Sequence, residues 1–301
     1  MISFARSRWL LVSIALAAAP ARADLFITIV DGGGTAPVTA DGGGTLFAIA
    51  EAAALYWETA LSASSAPADV DFSITITVSW GTPGVPTASA TGGHGLVFPP
   101  FPGGTYSGTG TIVFNTSGHD FWMDPTPLDN SEWTGSVVET SADLGGGSMV
   151  VGRVFDTPTA GPSGEEDALT VMLHEMGHAL GYLDFGTGID PYGLAVGTDG
   201  DIDVDGTSYP HSGATLPITS GHWTTGGSLD DSAMEGTFLV GTRVLLSAAD
   251  ILGMAEFHGF TAEDIDTSPS VVPEPSSLVL TGLAVVGIAW RKRRALLARA
   301  P

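Results

Sequence analysis

Between residues 71 and 80 the chain alternates without a break. Phe72, Ile74, Ile76, Val78 and Trp80 fall on one side, and Ser73, Thr75, Thr77 and Ser79 on the other. A period of two over that length predicts a half-buried strand. Upstream, residues 25–30 form a short apolar run that predicts a first strand. Two Asp-Gly-Gly-Gly stretches follow at 31–34 and 41–44; lacking dinucleotide spacing, they read as loop punctuation and not as a phosphate cradle. Residues 45–61, rich in Ala, Leu and Glu, predict a helix with its apolar face on a sheet. Residues 111–115 and 148–154 are further strand candidates. Residues 81–110 are dominated by Gly, Pro, Thr and Ser and predict a long surface excursion, and residues 116–162 read as mostly irregular. Strands, a helix, more strands and later helices in this order predict an α+β domain.

Ser163-Gly164-Glu165-Glu166 has the form of a capping box, with Ser163 as N-cap and Glu166 three residues on. A helix over 168–181 follows, with Gly181 as its stop. On it His174 and His178 stand at i and i+4, so their imidazoles project from one face at a spacing suited to a shared metal. Glu175 follows the first histidine, where a carboxylate can take a proton from an activated water and pass it to a leaving amine. Zinc suits this role because it lowers the pKa of bound water and polarises a carbonyl. A catalytic zinc takes three protein ligands, and a turn after Gly181 would return Asp184 towards the metal.

Charge and composition narrow the chemistry. The 301 residues include no cysteine, which removes disulfides, thiolate zinc sites and cysteine nucleophiles. Any metal must be held by His, Asp or Glu. Only Arg153 and Arg243 are basic between residues 24 and 272, against all but one of the 33 acidic residues. Such a body repels nucleic acid and anionic membranes and favours divalent cations.

The two ends read as addresses. Residues 1–23 have a positive start (Arg6, Arg8), an apolar stretch over 9–19 too short to span a bilayer, and Ala21-Arg22-Ala23 as a small-x-small cleavage site for signal peptidase. At the other end stand Val272-Pro273-Glu274-Pro275, fifteen largely apolar residues over 276–290, and Arg291-Lys292-Arg293-Arg294. The basic cluster favours the cytoplasmic side. This tripartite tail resembles the PEP-CTERM sorting signal of Gram-negative bacteria that make exopolysaccharide. The resemblance implies removal of the tail by an exosortase, only transient membrane contact, and release to the cell surface or beyond. The expected organisation is a signal peptide over 1–23, a catalytic domain over 24–262, a linker over 263–272 and a sorting signal over 273–301.

The run from His174 to Asp184, HEMGHALGYLD, resembles the metzincin metalloproteases, whose long motif is HExxHxxGxx followed by His, or by Asp in the snapalysin-like minority. That resemblance implies a zincin domain: a twisted mixed sheet, a backing helix, an active-site helix and a C-terminal helix. It also implies zinc held by His174, His178 and Asp184, with Glu175 as the base acting on a peptide or protein substrate. Ser232-Ala233-Met234, 56 residues after His178, resembles the methionine turn that supports the metal in that clan, with Met234 as its methionine. Ser247-Ala248-Ala249-Asp250 opens a further capped helix, to about His258.

Two sets of residues stay open. Asp201, Asp203 and Asp205 before Gly206 open like a calcium loop, but position twelve is Ser212 in place of Glu, which excludes an EF-hand and leaves a looser Ca2+ site or a solvated acidic loop. His211 and His222 read as surface or hydrogen-bonded histidines, with replacement of Asp184 as third ligand, or contact with substrate, as the other reading. Two rival functions remain beside a secreted zinc endopeptidase. One is a surface or matrix protein that keeps the fold without activity, and the other a non-metzincin HExxH hydrolase with a distant third ligand.

Overall fold

In the computed structural model the described residues are 25–61, 72–85, 88–97, 106–182, 202–204, 206, 208–219, 222–224, 227–237, 239–258, 260 and 262–269. The alternating segment forms β2 (Phe72–Gly81), an inner strand of a four-stranded sheet. On one side β1 (Leu25–Gly33) pairs with it in parallel. On the other lies β4 (Tyr106–Asn115), also parallel, and β3 (Ala90–Val97) forms the far edge, antiparallel to β4. Phe72, Ile74, Ile76 and Val78 are buried, and Thr75 on the other face is exposed.

The predicted excursion over 81–110 is therefore corrected: it holds β3 and the first half of β4. Glycine hid β3 and the first half of β4 from the hydrophobic pattern, while the second half, 111–115, is the strand expected there, and two of the glycines face a nearby helix. A methyl group on Gly110 would sit 3.1 Å from the Cβ of Ala179, and one on Gly92 would collide with the backbone of Glu175. Glycine within a strand marks such close approach. Residues 116–162 are likewise more regular than expected. They contain β5 (Phe121–Trp122) and the hairpin of β6 (Val138–Asp143) and β7 (Ser148–Phe155). β6 escaped because its sequence, VETSAD, is polar and mostly exposed.

Helix α1 (Leu46–Ala60) starts where predicted, with the hydroxyl of Thr45 accepting from Ala48 N at 3.1 Å. It packs on β1 and on α2 (Ala168–Leu180). The Trp57 indole joins the two helices by donating to the Leu173 carbonyl at 3.0 Å. The start of α2 differs from the expected capping box. Glu166 lies in β8 (Glu166–Asp167), paired in parallel with β5, and the N-cap is Asp167, whose carboxylate accepts from Thr170 N at 3.0 Å. The Ser163 amide instead donates to Glu165.

Arg243 decides this cap. Fully buried, its guanidinium bonds both oxygens of Asp167 (2.9 and 3.1 Å) and Asp124 at 2.5 Å. Arg243 also begins β13 (Arg243–Val244), which extends the β6–β7 hairpin to a three-stranded sheet in the order β13-β7-β6. Helix α3 (Ala248–His258) packs on β7. Two small ribbons complete the described elements: β9 (Ile202–Asp203) with β10 (Thr215–Leu216), and β11 (Ile218–Thr219) with β12 (His222–Trp223).

Candidate metal centre

All 13 residues of α2 are buried, so its polar members cannot be a solvated face. The helix ends on Gly181, whose φ of 114° lies in the left-handed region that glycine tolerates. The turn that follows brings the Tyr182 carbonyl back to Nδ1 of His178, to which it is hydrogen-bonded. Nδ1 of His174 lies 2.8 Å from the Ala233 carbonyl. A carbonyl only accepts, so each Nδ1 carries the hydrogen in the neutral ring, and each Nε2 is left with a bare lone pair.

Those lone pairs converge. Nε2 of His178 is 3.1 Å from Nε2 of His174, and Nε2 of His222 is 3.2 Å from both. His174, His178 and His222 are the one group of three potential ligands that could share an ion among the described residues. A tetrahedral ion with metal–nitrogen bonds of ~2.0–2.1 Å sets its nitrogens ~3.3 Å apart, so the triangle has the size of a metal-binding face. Burial, reinforced by the neighbouring imidazoles, holds His174 well below the usual histidine range. Burial likewise pushes His178 down to about 4. Both rings are neutral at physiological pH, the form that ligates.

Glu175 is 7% exposed and accepts a hydrogen bond from Gly92 N on the edge strand β3. Burial raises its carboxyl to about 7, opposed by that bond. A carboxylate with a pKa near ambient pH is suited to move a proton in either direction.

Of the residues singled out in the sequence, His174, Glu175 and His178 lie together on α2. Met234 lies beneath them: it is fully buried, and its sulfur and Cε leave no room for a methyl group on Gly177, between the two histidines. Asp184 lies outside the described residues, as do Asp201 and Asp205. Asp203 is in β9, where its carboxylate accepts from the Thr215 hydroxyl at 3.3 Å. His211 sits in a turn with φ 59° and is not among the three converging rings.

His222 is the residue whose place the sequence undervalued. Forty-four positions separate it from His178, and no local spacing announces it. The only signal was its lying between the helix and the methionine-bearing turn. One hydrogen bond ties its strand there, Trp223 N donating to the Met234 carbonyl at 3.0 Å, and Gly236 leaves room for the ring, since a methyl group on it would lie 3.3 Å from His222.

Comparison with known families places one at the C-terminus. Residues 271–294 carry the PEP-CTERM protein-sorting motif. The chain is thus an exported protein of the kind that Gram-negative bacteria sort to the cell surface or the extracellular space, with an exosortase as its partner during export. No curated protein and no solved structure gives a significant match to the chain.

Proposed function

We propose that this exported protein is a zinc-dependent endopeptidase in which His174, His178 and His222 hold the metal and Glu175 is the general base. The observation that carries the proposal is the convergence of three imidazole nitrogens at 3.1–3.2 Å, two of them fixed in the ligating tautomer by backbone carbonyls. Three nitrogen donors in this arrangement suit zinc. When bound, zinc supplies a Lewis acid for the scissile carbonyl and lowers the pKa of a bound water. Glu175 takes the proton from the attacking water and delivers it to the leaving amine, and its raised pKa suits both steps. The buried, fully packed α2 keeps the histidines in one geometry throughout.

The methionine beneath the helix and the edge strand beside it favour a metzincin-like domain. The remoteness of His222 favours the second reading, an HExxH hydrolase with a third ligand from outside the long motif. Zinc affinity separates the two. Loss on His222→Ala with retention on Asp184→Ala supports the distant ligand, and the reverse supports the aspartate.

The activity itself is tested by metal content and peptide cleavage of the mature chain, with and without Glu175→Gln. The expected result is one zinc per chain in both proteins, and cleavage reduced at least ~100-fold in the variant. Zinc bound with no Glu175-dependent cleavage of any peptide would leave a metal-bearing surface protein and sink the enzyme reading.

A further inference from the structure

Helix α3 contributes no atom to the converging histidines, yet one of its residues touches both segments that hold them. Asp250, fully buried in the first turn of α3, accepts five hydrogen bonds. Oδ1 accepts from the Trp223 indole at 2.9 Å and from Met234 N at 3.0 Å. Oδ2 accepts from Ala233 N at 3.1 Å, Ser247 N at 2.8 Å and the Ser247 hydroxyl at 2.7 Å.

The bond from Ser247 N, with Asp250 N donating back to the Ser247 hydroxyl at 3.3 Å, is the capping box that starts α3, and the hydroxyl's own bond to Oδ2 belongs to the same local cap. The other three are not accounted for by capping, because their donors lie 16, 17 and 27 positions away. Each of those donors is one step from a site histidine. Trp223 follows His222 in β12, and the Ala233 carbonyl fixes the tautomer of His174. We infer that Asp250 is a positioning residue for the metal centre: one buried carboxylate that holds the His222 strand and the methionine-bearing turn in register, and through them sets His222 and His174 against His178.

The physical reason is the cost of leaving these groups without their acceptor. A buried donor that loses its partner has no water to replace it and is strongly disfavoured. Replacing either oxygen by an amide NH2 strands one or two of the three donors, and relief requires the 222–223 and 233–234 segments to move, carrying the ring of His222 and the partner of His174 with them. This inference rests on the zinc reading, and the test keeps the two apart.

The test measures zinc affinity by chelator competition, and the visible spectrum of the Co2+-substituted protein, for the mature full-length chain. The variants are Asp250→Asn, Trp223→Phe and Ser247→Ala. Trp223→Phe removes the indole donor along with part of a buried ring; Ser247→Ala removes the helix cap and one donor to Asp250 but leaves the three bonds to the 223 and 233–234 segments in place. Replacing outer groups around metal ligands lowers affinity ~10–100-fold. Asp250→Asn is expected to lose that much, and Trp223→Phe about 10-fold, both with an altered Co2+ spectrum. Ser247→Ala is expected to lower the melting temperature while keeping wild-type affinity and spectrum. Should Asp250→Asn fail to fold, Trp223→Phe against Ser247→Ala decides: equal affinity and spectrum in the two overturns the inference. Wild-type protein that takes up no zinc overturns the metal reading and this one with it. Zinc-loaded wild type with unchanged Asp250→Asn and Trp223→Phe overturns the assignment of Asp250 alone.

Discussion

Gly177 stands between the two helix histidines, and replacing it with alanine tests how tightly Met234 is packed against the helix that carries them. In an ordinary helix interior, alanine in place of glycine stabilises by ~1 kcal/mol. At 177 the new methyl group would overlap the Met234 sulfur and lie 3.0 Å from its Cε and 3.4 Å from Trp57 Cζ2. Both neighbours are fully buried, so the methionine has no route to solvent along which to yield. Overpacking of this kind costs ~1–3 kcal/mol. Since the collision involves two atoms of an enclosed side chain, the upper half of that range applies, and the net is a destabilisation of ~1–2 kcal/mol. Urea unfolding of the metal-free protein reads it as a lower midpoint at constant slope. The cause is isolated by a cycle with Met234→Ala, which alone costs ~2–5 kcal/mol through the cavity it opens. In that background Gly177→Ala should stabilise by ~1 kcal/mol, giving a coupling of ~2–3 kcal/mol. A single Gly177→Ala variant that is more stable than wild type would refute the packing argument.

Two further outcomes are expected. Arg243→Met leaves the carboxylates of Asp124 and Asp167 buried without their cation and loosens the cap of α2, so it should cost ~3–5 kcal/mol in denaturant unfolding; a variant as stable as wild type would refute the role given to that cluster. In metal-free protein Glu175 has its pKa raised by burial to about 7, so the folded state keeps a proton that the unfolded chain releases above ~4.5. That contribution is fully present below ~4.5 and lost as pH rises through about 7. Relative to Glu175→Gln, wild type should therefore lose roughly 3 kcal/mol between pH 4.5 and 8, read as diverging melting curves in the presence of a chelator; parallel curves would show that the carboxyl is not desolvated.

The parts of the fold that the sequence announced are those with a simple period. β2 was legible from its alternation and α1 from its apolar content and Thr45. Gly181 and the cap at Ser247 marked helix ends that formed where expected. The parts that were hidden owe their form to distant partners. In β3 and the first half of β4, Gly92 and Gly110 stand where α2 presses closest, so the strand segments nearest the site carry little hydrophobic signal. The start of α2 looked like a serine capping box, but Arg243, 76 residues downstream of Asp167, selects the aspartate instead. The histidine pair and Glu175 were readable because helical spacing alone places them. His222 was not, because a two-residue strand pinned through Trp223 puts it there, in room left by Gly236, and neither feature follows from local sequence.

The electrostatics of the whole body bear on what the three histidines can bind. Between residues 24 and 272 the chain has only two cationic side chains, and both are engaged elsewhere. Arg243 is held by Asp124 and Asp167, and Arg153 lies 3.3 Å from Glu139. Neither is among the groups that shift His174 or His178, whose neutrality comes from burial and from the other imidazoles. Three ring nitrogens thus converge in a strongly acidic protein, with protonation of at least two of the rings suppressed. An anionic ligand would meet repulsion there. A divalent cation satisfies all three nitrogens at once and is drawn in by the surrounding charge. The same argument gives Asp250 its place: a metal face built from a helix and a two-residue strand keeps its 3.1–3.2 Å edges only if the strand and the turn are tied to one fixed point. A buried carboxylate with five donors supplies that point.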